Sequence, residues 1–177
     1  ERCLPGGALF WLAVCLATLI AAWLRLHRIG DRGLWIDEIT SLRDASEPLS
    51  LSKPHFLSFY ILKASLRFGD SPFFLRLPSA VFGAAGVAAF AWMLKRWFGP
   101  AVALLGAVWI AVNPYHLYFS LEARYYAELI FFASLALAAW PSLSGAPRPW
   151  AIGLFLAANI ACYGIHPTAA VFFAMQA

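Results

Sequence analysis

Long apolar stretches, each closed by charged or turn-forming residues, set the rhythm of this chain. The first runs over about residues 4–25, and Arg25, His27 and Arg28 close it in the manner of side chains that snorkel to a membrane interface. Further stretches occupy about 77–95, 100–118, 124–140 and 149–165, and a sixth starts at 167–177. Lys95-Arg96, Gly99-Pro100, Asn113-Pro114 and the turn-rich residues 141–149 punctuate them. About 20 apolar residues cross the hydrocarbon core as a helix, so the pattern predicts an all-α, polytopic transmembrane bundle.

Residues 26–76 break that rhythm. Together with Arg25 they hold eight of the thirteen Lys/Arg and six of the nine Asp/Glu. A segment so mixed in charge cannot lie across a bilayer, and it is expected to form a long external loop. Within it Trp35, Ile39 and Leu42 recur at i, i+4 and i+7, while Asp37, Ser41 and Asp44 take another face, which predicts a helix lying in the interface. A second short helix is expected from His55 to Phe68, with Pro54 at its start and Gly69 at its end. If the apolar stretches cross in alternation, loop 26–76, the cluster 113–126 and the cluster 163–167 return to one side. The opposite side has only Lys95-Arg96 and the connector around Arg148.

Composition supports the membrane reading. The 177 residues are 62% hydrophobic and 12% charged, with a mean hydropathy of +0.72, whereas soluble domains carry roughly 25% charged residues. The chain opens without Met and stops inside an apolar run, and it reads as the N-terminal part of a longer protein. Its first stretch is long for a signal-peptide core, so a retained anchor is expected. A formal charge of +4 spread through loops and aromatic flanks points to membrane headgroups or an anionic lipid, with no nucleic-acid partner. Cys3, Cys15 and Cys162 have no paired spacing and read as small apolar residues in helices. Gly83, Gly86 and Gly106 predict close helix packing. No P-loop, GxSxG, HExxH or paired CxxC is present, which leaves nucleotide hydrolysis, serine-hydrolase and zinc-protease chemistry without support.

The polar clusters carry the candidate chemistry. Asp37 and Glu38 are adjacent, so on a helix their side chains diverge by about 100°. That geometry suits a division of labour, one carboxylate taking a proton and the other binding a metal or orienting a neighbour. It equally suits a solvated helix start, where acids are favoured by the macrodipole. Lys53-Pro54-His55 opens the second short helix, where free N–H groups and an ammonium can meet a phosphate. In the run Glu122-Ala123-Arg124-Tyr125-Tyr126, Arg124 can grip a phosphate bidentately, with tyrosine hydroxyls beside it. An interfacial Arg–Glu pair in an aromatic belt fits the same residues. Glu128 falls one turn inside the bilayer, where ionisable groups are functional candidates. His166 can ligate a metal, hold a sugar hydroxyl or cap a helix end, and His116 reads as structural.

Taken in order, Leu34-Trp-Ile-Asp-Glu38, Ser52-Lys-Pro54, Phe74-Leu-Arg-Leu-Pro-Ser-Ala-Val-Phe-Gly83 and the run from Asn113 to Tyr126 resemble the N-terminal half of the GT-C superfamily. These are membrane glycosyltransferases such as the dolichyl-phosphate-mannose protein mannosyltransferase-like and aminoarabinose-transferase-like enzymes. The resemblance implies transfer of a sugar from a polyprenyl-phosphate donor to an acceptor hydroxyl on the non-cytoplasmic side of a membrane, here a bacterial cytoplasmic membrane. It implies Asp37 as base with Glu38 beside it, and Lys53, Arg124 and Tyr125 as ligands of the donor phosphate. Glu122, Tyr126, Glu128 and His166 are implied as support, and Glu38 with His166 as the holders of a divalent cation if one is used. Ser52 stands where the aminoarabinose branch has Glu, and Lys53-Pro54-His55 replaces a frequent His-Pro-Pro. The alternatives are a non-catalytic membrane subunit or lipid-binding scaffold, and a flippase, which the gathering of polar groups at one face disfavours.

Lys/Arg counting alone would place the basic loop 26–76 in the cytoplasm, whereas the resemblance places it outside. A Ser46→Cys variant of the full-length protein is expected to react with a membrane-impermeant maleimide added outside intact cells. Labelling only after permeabilisation would reverse the orientation.

Overall fold

The computed structural model describes residues 6–48, 50–51 and 54–176; Cys3, Ser52 and Lys53, singled out above, lie outside them. The described residues form helices and no strand. In order they are α1 (Gly6–Leu26), α2 (Ile36–Ser46), α3 (Phe56–Ser65), α4 (Pro72–Phe98), α5 (Pro100–Val112), α6 (Pro114–Ser120), α7 (Tyr126–Ala139), α8 (Pro149–Ile165) and α9 (Ala169–Ala174), with a 3₁₀ turn at Trp140–Ser142. Pro72, Pro100, Pro114 and Pro149 each stand in a first turn, where the missing N–H costs nothing and the fixed φ suits a helix. Gly99, at φ +88°, is the one residue between α4 and α5, a conformation open to glycine and strained for other residues.

Helices α1 and α4 are long and apolar enough to cross a membrane, and α5 with α6 gives a third if that pair, bent by 57° at Asn113-Pro114, is one broken span. Helices α7 and α8 are apolar but shorter. Helix α4 is central and packs against α1, α5 and α7, while α8 lies on α7. The core between α1, α4 and α5 is built largely of small residues: Ala17 and Ala21, Val87 and Ala91, Ala103, Ala107 and Ala111. Such side chains let backbones approach closely, which is how helices associate where water supplies no driving force.

The buried stripe of α1 is Phe10, Val14, Ala17, Ala21 and Arg25, at i, i+4, i+7, i+11 and i+15. Arg25 therefore does not snorkel as expected, because its register carries it into the bundle, where it is 0% exposed. Its guanidinium donates to the Ala21 carbonyl at 3.0 Å, to the Ala111 carbonyl at 3.2 Å and to His116 Nδ1 at 2.7 Å. Ala111 lies in the last turn of α5, whose carbonyls lack intrahelical donors. Arg25 thus caps α5, and His116 accepts from it as a neutral ring.

Helix α2 also differs from the expected faces. Its inward face is Glu38, Ser41 and Ala45, while Ile36 and Ile39 are exposed. Ser41, placed above on one face with Asp37 and Asp44, is buried. Helix α4 begins before the apolar stretch does, so Arg76 is a helix residue and not part of a loop.

A Cβ added at Gly83 would collide with Ser120 and lie 3.0 Å from Arg25 Nε, whereas one at Gly153 meets nothing within 4 Å. Gly83→Ala is expected to lower stability by about 1–3 kcal/mol, as overpacking generally does, and Gly153→Ala, in open space inside a helix, to raise it by about 0.5–1 kcal/mol. Thermal unfolding of the full-length protein in detergent measures both.

Candidate functional site

The two adjacent acids separate as α-helical geometry dictates. Glu38 turns inward and is 0% exposed; the Asp37 side chain remains 44% exposed. Arg76 meets Glu38 as a fork, with Nε to Oε1 at 2.7 Å and the second guanidinium nitrogen to Oε2 at 2.6 Å. The Ala123 N–H donates to Oε1 at 3.0 Å, and the Trp35 N–H to Oε2 at 3.4 Å, as in the return arm of a capping box. The remaining Arg76 donors go to the carbonyls of Ile29, Arg32 and Gly33 at 2.9–3.0 Å. Burial alone would push the Glu38 carboxyl up; the Arg76 guanidinium and the two amides outweigh it and hold the group below the usual carboxylate range.

This pair joins α2, α4, the 29–33 loop and the chain between α6 and α7, and so fixes what stands beside it. Arg124 is set with one terminal nitrogen 3.8 Å from the Asp37 carboxylate and the other 3.5 Å from Ser41 Oγ. Its carbonyl accepts from Ser79 Oγ at 3.0 Å, and its Nε is buried without a partner among the described residues. The guanidinium lies over the Tyr125 ring at 5.2 Å. Tyr125 in turn stacks on His55 at 4.6 Å and touches His166 at 4.7 Å, and the two imidazoles are 4.6 Å apart between centroids. A recess of about 150 Å³ opens here, lined by Ser41, Asp44, His55, Ser58, Arg124 and Tyr125 among others.

The structure therefore brings together Asp37, Arg124, Tyr125 and His166, from α2, the α6–α7 connection and the end of α8. Tyr126 packs on Tyr125 and Phe119 and forms part of the wall. Glu128 is buried one turn further along α7, with Ser58 as its neighbour and Oε2 unpartnered among the described residues. Glu122 points to the other side of the Glu38–Arg76 pair, toward Tyr118. Burial raises its carboxyl above the ordinary range, and the charges of Glu38 and Asp37 add to the effect.

His55 is the member that the sequence reading passed over. It appears there as the start of the second short helix and the third residue of Lys53-Pro54-His55, with no role in the site, yet it is the ring around which the others gather. It occupies the left-handed region at φ +63°, a strained conformation for a non-glycine residue. Its Nδ1 donates to the Ile165 carbonyl at 2.9 Å, which ties the start of α3 to the end of α8. In His166 the roles are reversed: Nδ1 accepts from the Thr168 N–H at 3.1 Å and lies 2.6 Å from its hydroxyl, so the proton of the neutral ring sits on Nε2. Partial burial, with the neighbouring His55 and Arg124, holds His166 below the ordinary imidazole value.

Glu38 and His166 are not assembled to hold a divalent cation. Both Glu38 oxygens are already taken by Arg76 and backbone amides, and among the described residues no three His, Cys, Asp or Glu side chains converge as a metal-binding group. No protein-family model, curated protein or solved structure matches the chain, so its chemistry is argued from these residues.

Removing one partner of a buried ion pair leaves an uncompensated charge, so Arg76→Ala is expected to cost about 3–5 kcal/mol in denaturant unfolding of the full-length protein. Because the Glu38 pKa is depressed in the fold, its contribution is complete above the ordinary carboxylate range and is lost as pH falls through the depressed value. Glu38→Gln should flatten that acid limb of the stability profile.

Proposed function

We propose that this chain is the donor-binding part of a membrane glycosyltransferase that moves a sugar from a polyprenyl phosphate to an acceptor hydroxyl. It would sit in a bacterial cytoplasmic membrane as a multi-pass protein with the site facing outward. The observation that carries the reading is the juxtaposition at Arg124. A half-exposed carboxylate, Asp37, stands 3.8 Å from a guanidinium whose buried Nε has no partner among the described residues and which borders a small recess edged by a tyrosine, a histidine, two serines and Asp44. The residues lie at the end of a bundle whose helices α1 and α4 are of membrane-crossing length, so a lipid tail can stay in the bilayer while its phosphate meets the recess.

In this reading Asp37 accepts the proton of the acceptor hydroxyl as the acceptor oxygen forms its bond to the sugar C1. The C1–O bond to phosphate breaks on the opposite face, and the phosphate leaves with the electron pair, inverting the anomeric carbon. Arg124 and the Tyr125 hydroxyl hold the phosphate as charge develops on it. His166 offers an Nε2–H donor whose tautomer is fixed by Thr168. Glu38 does no chemistry itself but holds the helix that presents Asp37.

Asp37→Asn in the full-length protein is expected to reduce turnover of a polyprenyl-phosphate sugar by roughly 10²–10⁴-fold, the range for a lost general base, with donor affinity little changed. Arg124→Ala should instead weaken donor binding about 10- to 100-fold, as loss of a charge-assisted hydrogen bond does. Wild-type turnover in Asp37→Asn would refute the assignment of the base.

A further inference from the structure

A second and larger cavity, about 840 Å³, lies on the other side of the Glu38–Arg76 pair. It falls within the range of roughly 300–1,000 Å³ typical of pockets that enclose small organic ligands. Its walls come from the end of α1, the loop that follows, and α6 with the residues just after it. The loop wall is held in place, since Arg76 binds the carbonyls of Ile29, Arg32 and Gly33.

The charge of the lining is balanced. Arg28, Arg32 and Arg76 face Asp31, Glu38 and Glu122, three cations against three acids, and two of these pairs are already joined, Arg28 to Asp31 at 2.6 Å and Arg76 to Glu38. Such a cavity has no net attraction for an anion. What it does present is two partly exposed aromatic rings, Trp35 and Tyr118, beside a hydrogen-bonding guanidinium, Arg32, and a carboxyl, Glu122. Flat rings cover the C–H faces of a pyranose, and planar polar side chains bind its ring of hydroxyls. Leu117 and Leu121 add an apolar floor, and exposed Ile20 and Trp23 continue that apolar surface along α1.

We infer that this cavity binds an uncharged saccharide carried on a membrane amphiphile, and that this saccharide is the acceptor. The inference rests on the transfer reading above for the word acceptor, but not for the binding itself. The partition explains how the two substrates meet. Leu121 and Glu122 face the large cavity while Ala123 and Arg124 face the recess, and Glu122 is close enough to Asp37 to feel its charge. A hydroxyl held by Glu122 is thereby delivered beside the base, with the phosphate on the far side of Arg124.

The test uses the full-length protein in nanodiscs and tritiated n-dodecyl-β-D-maltoside as probe, with octaethylene glycol monododecyl ether as a competitor with the same alkyl tail and no sugar. Saturable binding displaced by unlabelled maltoside and not by the ether is expected. Trp35→Ala and Glu122→Gln should each weaken it about tenfold or more, since a site that hydrogen-bonds hydroxyls discriminates strongly when a partner is lost. Tyr118→Phe, which keeps the ring and the fold, should weaken it less, and His55→Ala in the other compartment should leave it unchanged. Displacement by the ether, or wild-type affinity in both Trp35→Ala and Glu122→Gln, overturns the inference. Maltoside binding with this pattern in a protein that lacks transferase activity would retain the saccharide site and remove only the transfer reading.

Discussion

The buried pair between Glu38 and Arg76 is the constraint on which the polar end of this molecule depends. Desolvating a carboxylate and a guanidinium together is costly, and their attraction offsets that cost only when the remaining donors and acceptors are also satisfied. Here every Arg76 donor and both Glu38 oxygens have partners, drawn from four separate parts of the chain. The pair therefore acts as a fixed post. The neighbouring Asp37 stays half-exposed beside Arg124 because Glu38 faces inward, and the pair itself forms part of the wall of the larger cavity.

A second buried cation shows a different solution to the same problem. Among the described residues Arg25 has no carboxylate partner; it is met by helix carbonyls and by a neutral histidine. Room for it exists because Gly83 brings α4 close to Ser120 and the Arg25 side chain. Charge is tolerated here through complete hydrogen bonding in one case and through a helix terminus in the other, and the second arrangement depends on a small neighbour, Gly83. The opposite end of the bundle has cations of another kind. Lys95 lies over Phe10 and Trp11, and Arg96 meets Ser142, as expected of side chains at an aromatic-rich boundary.

The arrangement of the recess and the large cavity gives the proposed chemistry its economy. A phosphate needs cations and fixed donors, which in the proposed reading Arg124 and Tyr125 supply at the recess, with His166 against the Tyr125 ring. A saccharide needs flat rings and balanced polar groups, which Trp35, Tyr118 and Glu122 supply in the large cavity. The carboxylate that would connect them lies on α2, whose inward face is fixed by Glu38, Ser41 and Ala45.

The pattern of residues was sufficient for an all-helical chain and for the approximate bounds of most of its helices, but not for the 57° bend that divides 100–118 into α5 and α6. Helix periodicity, proline at first turns and the alternation of apolar stretches are local properties, and local properties are written in sequence. The divergence of Asp37 and Glu38 was likewise a matter of 100° per residue. Which of the two turned inward was decided by Arg76, a residue 38 positions away that the pattern assigned to a loop. Arg25 could have been placed by continuing the stripe Phe10, Val14, Ala17, Ala21, but its charge argued for the surface, and only the carbonyls of α5 and the ring of His116 reversed that. His55 carried no sequence signal of its own, since its role comes from rings that meet it from the α6–α7 connection and the end of α8. Burial, pairing and convergence depend on partners distant in the chain, and those only the tertiary structure supplies.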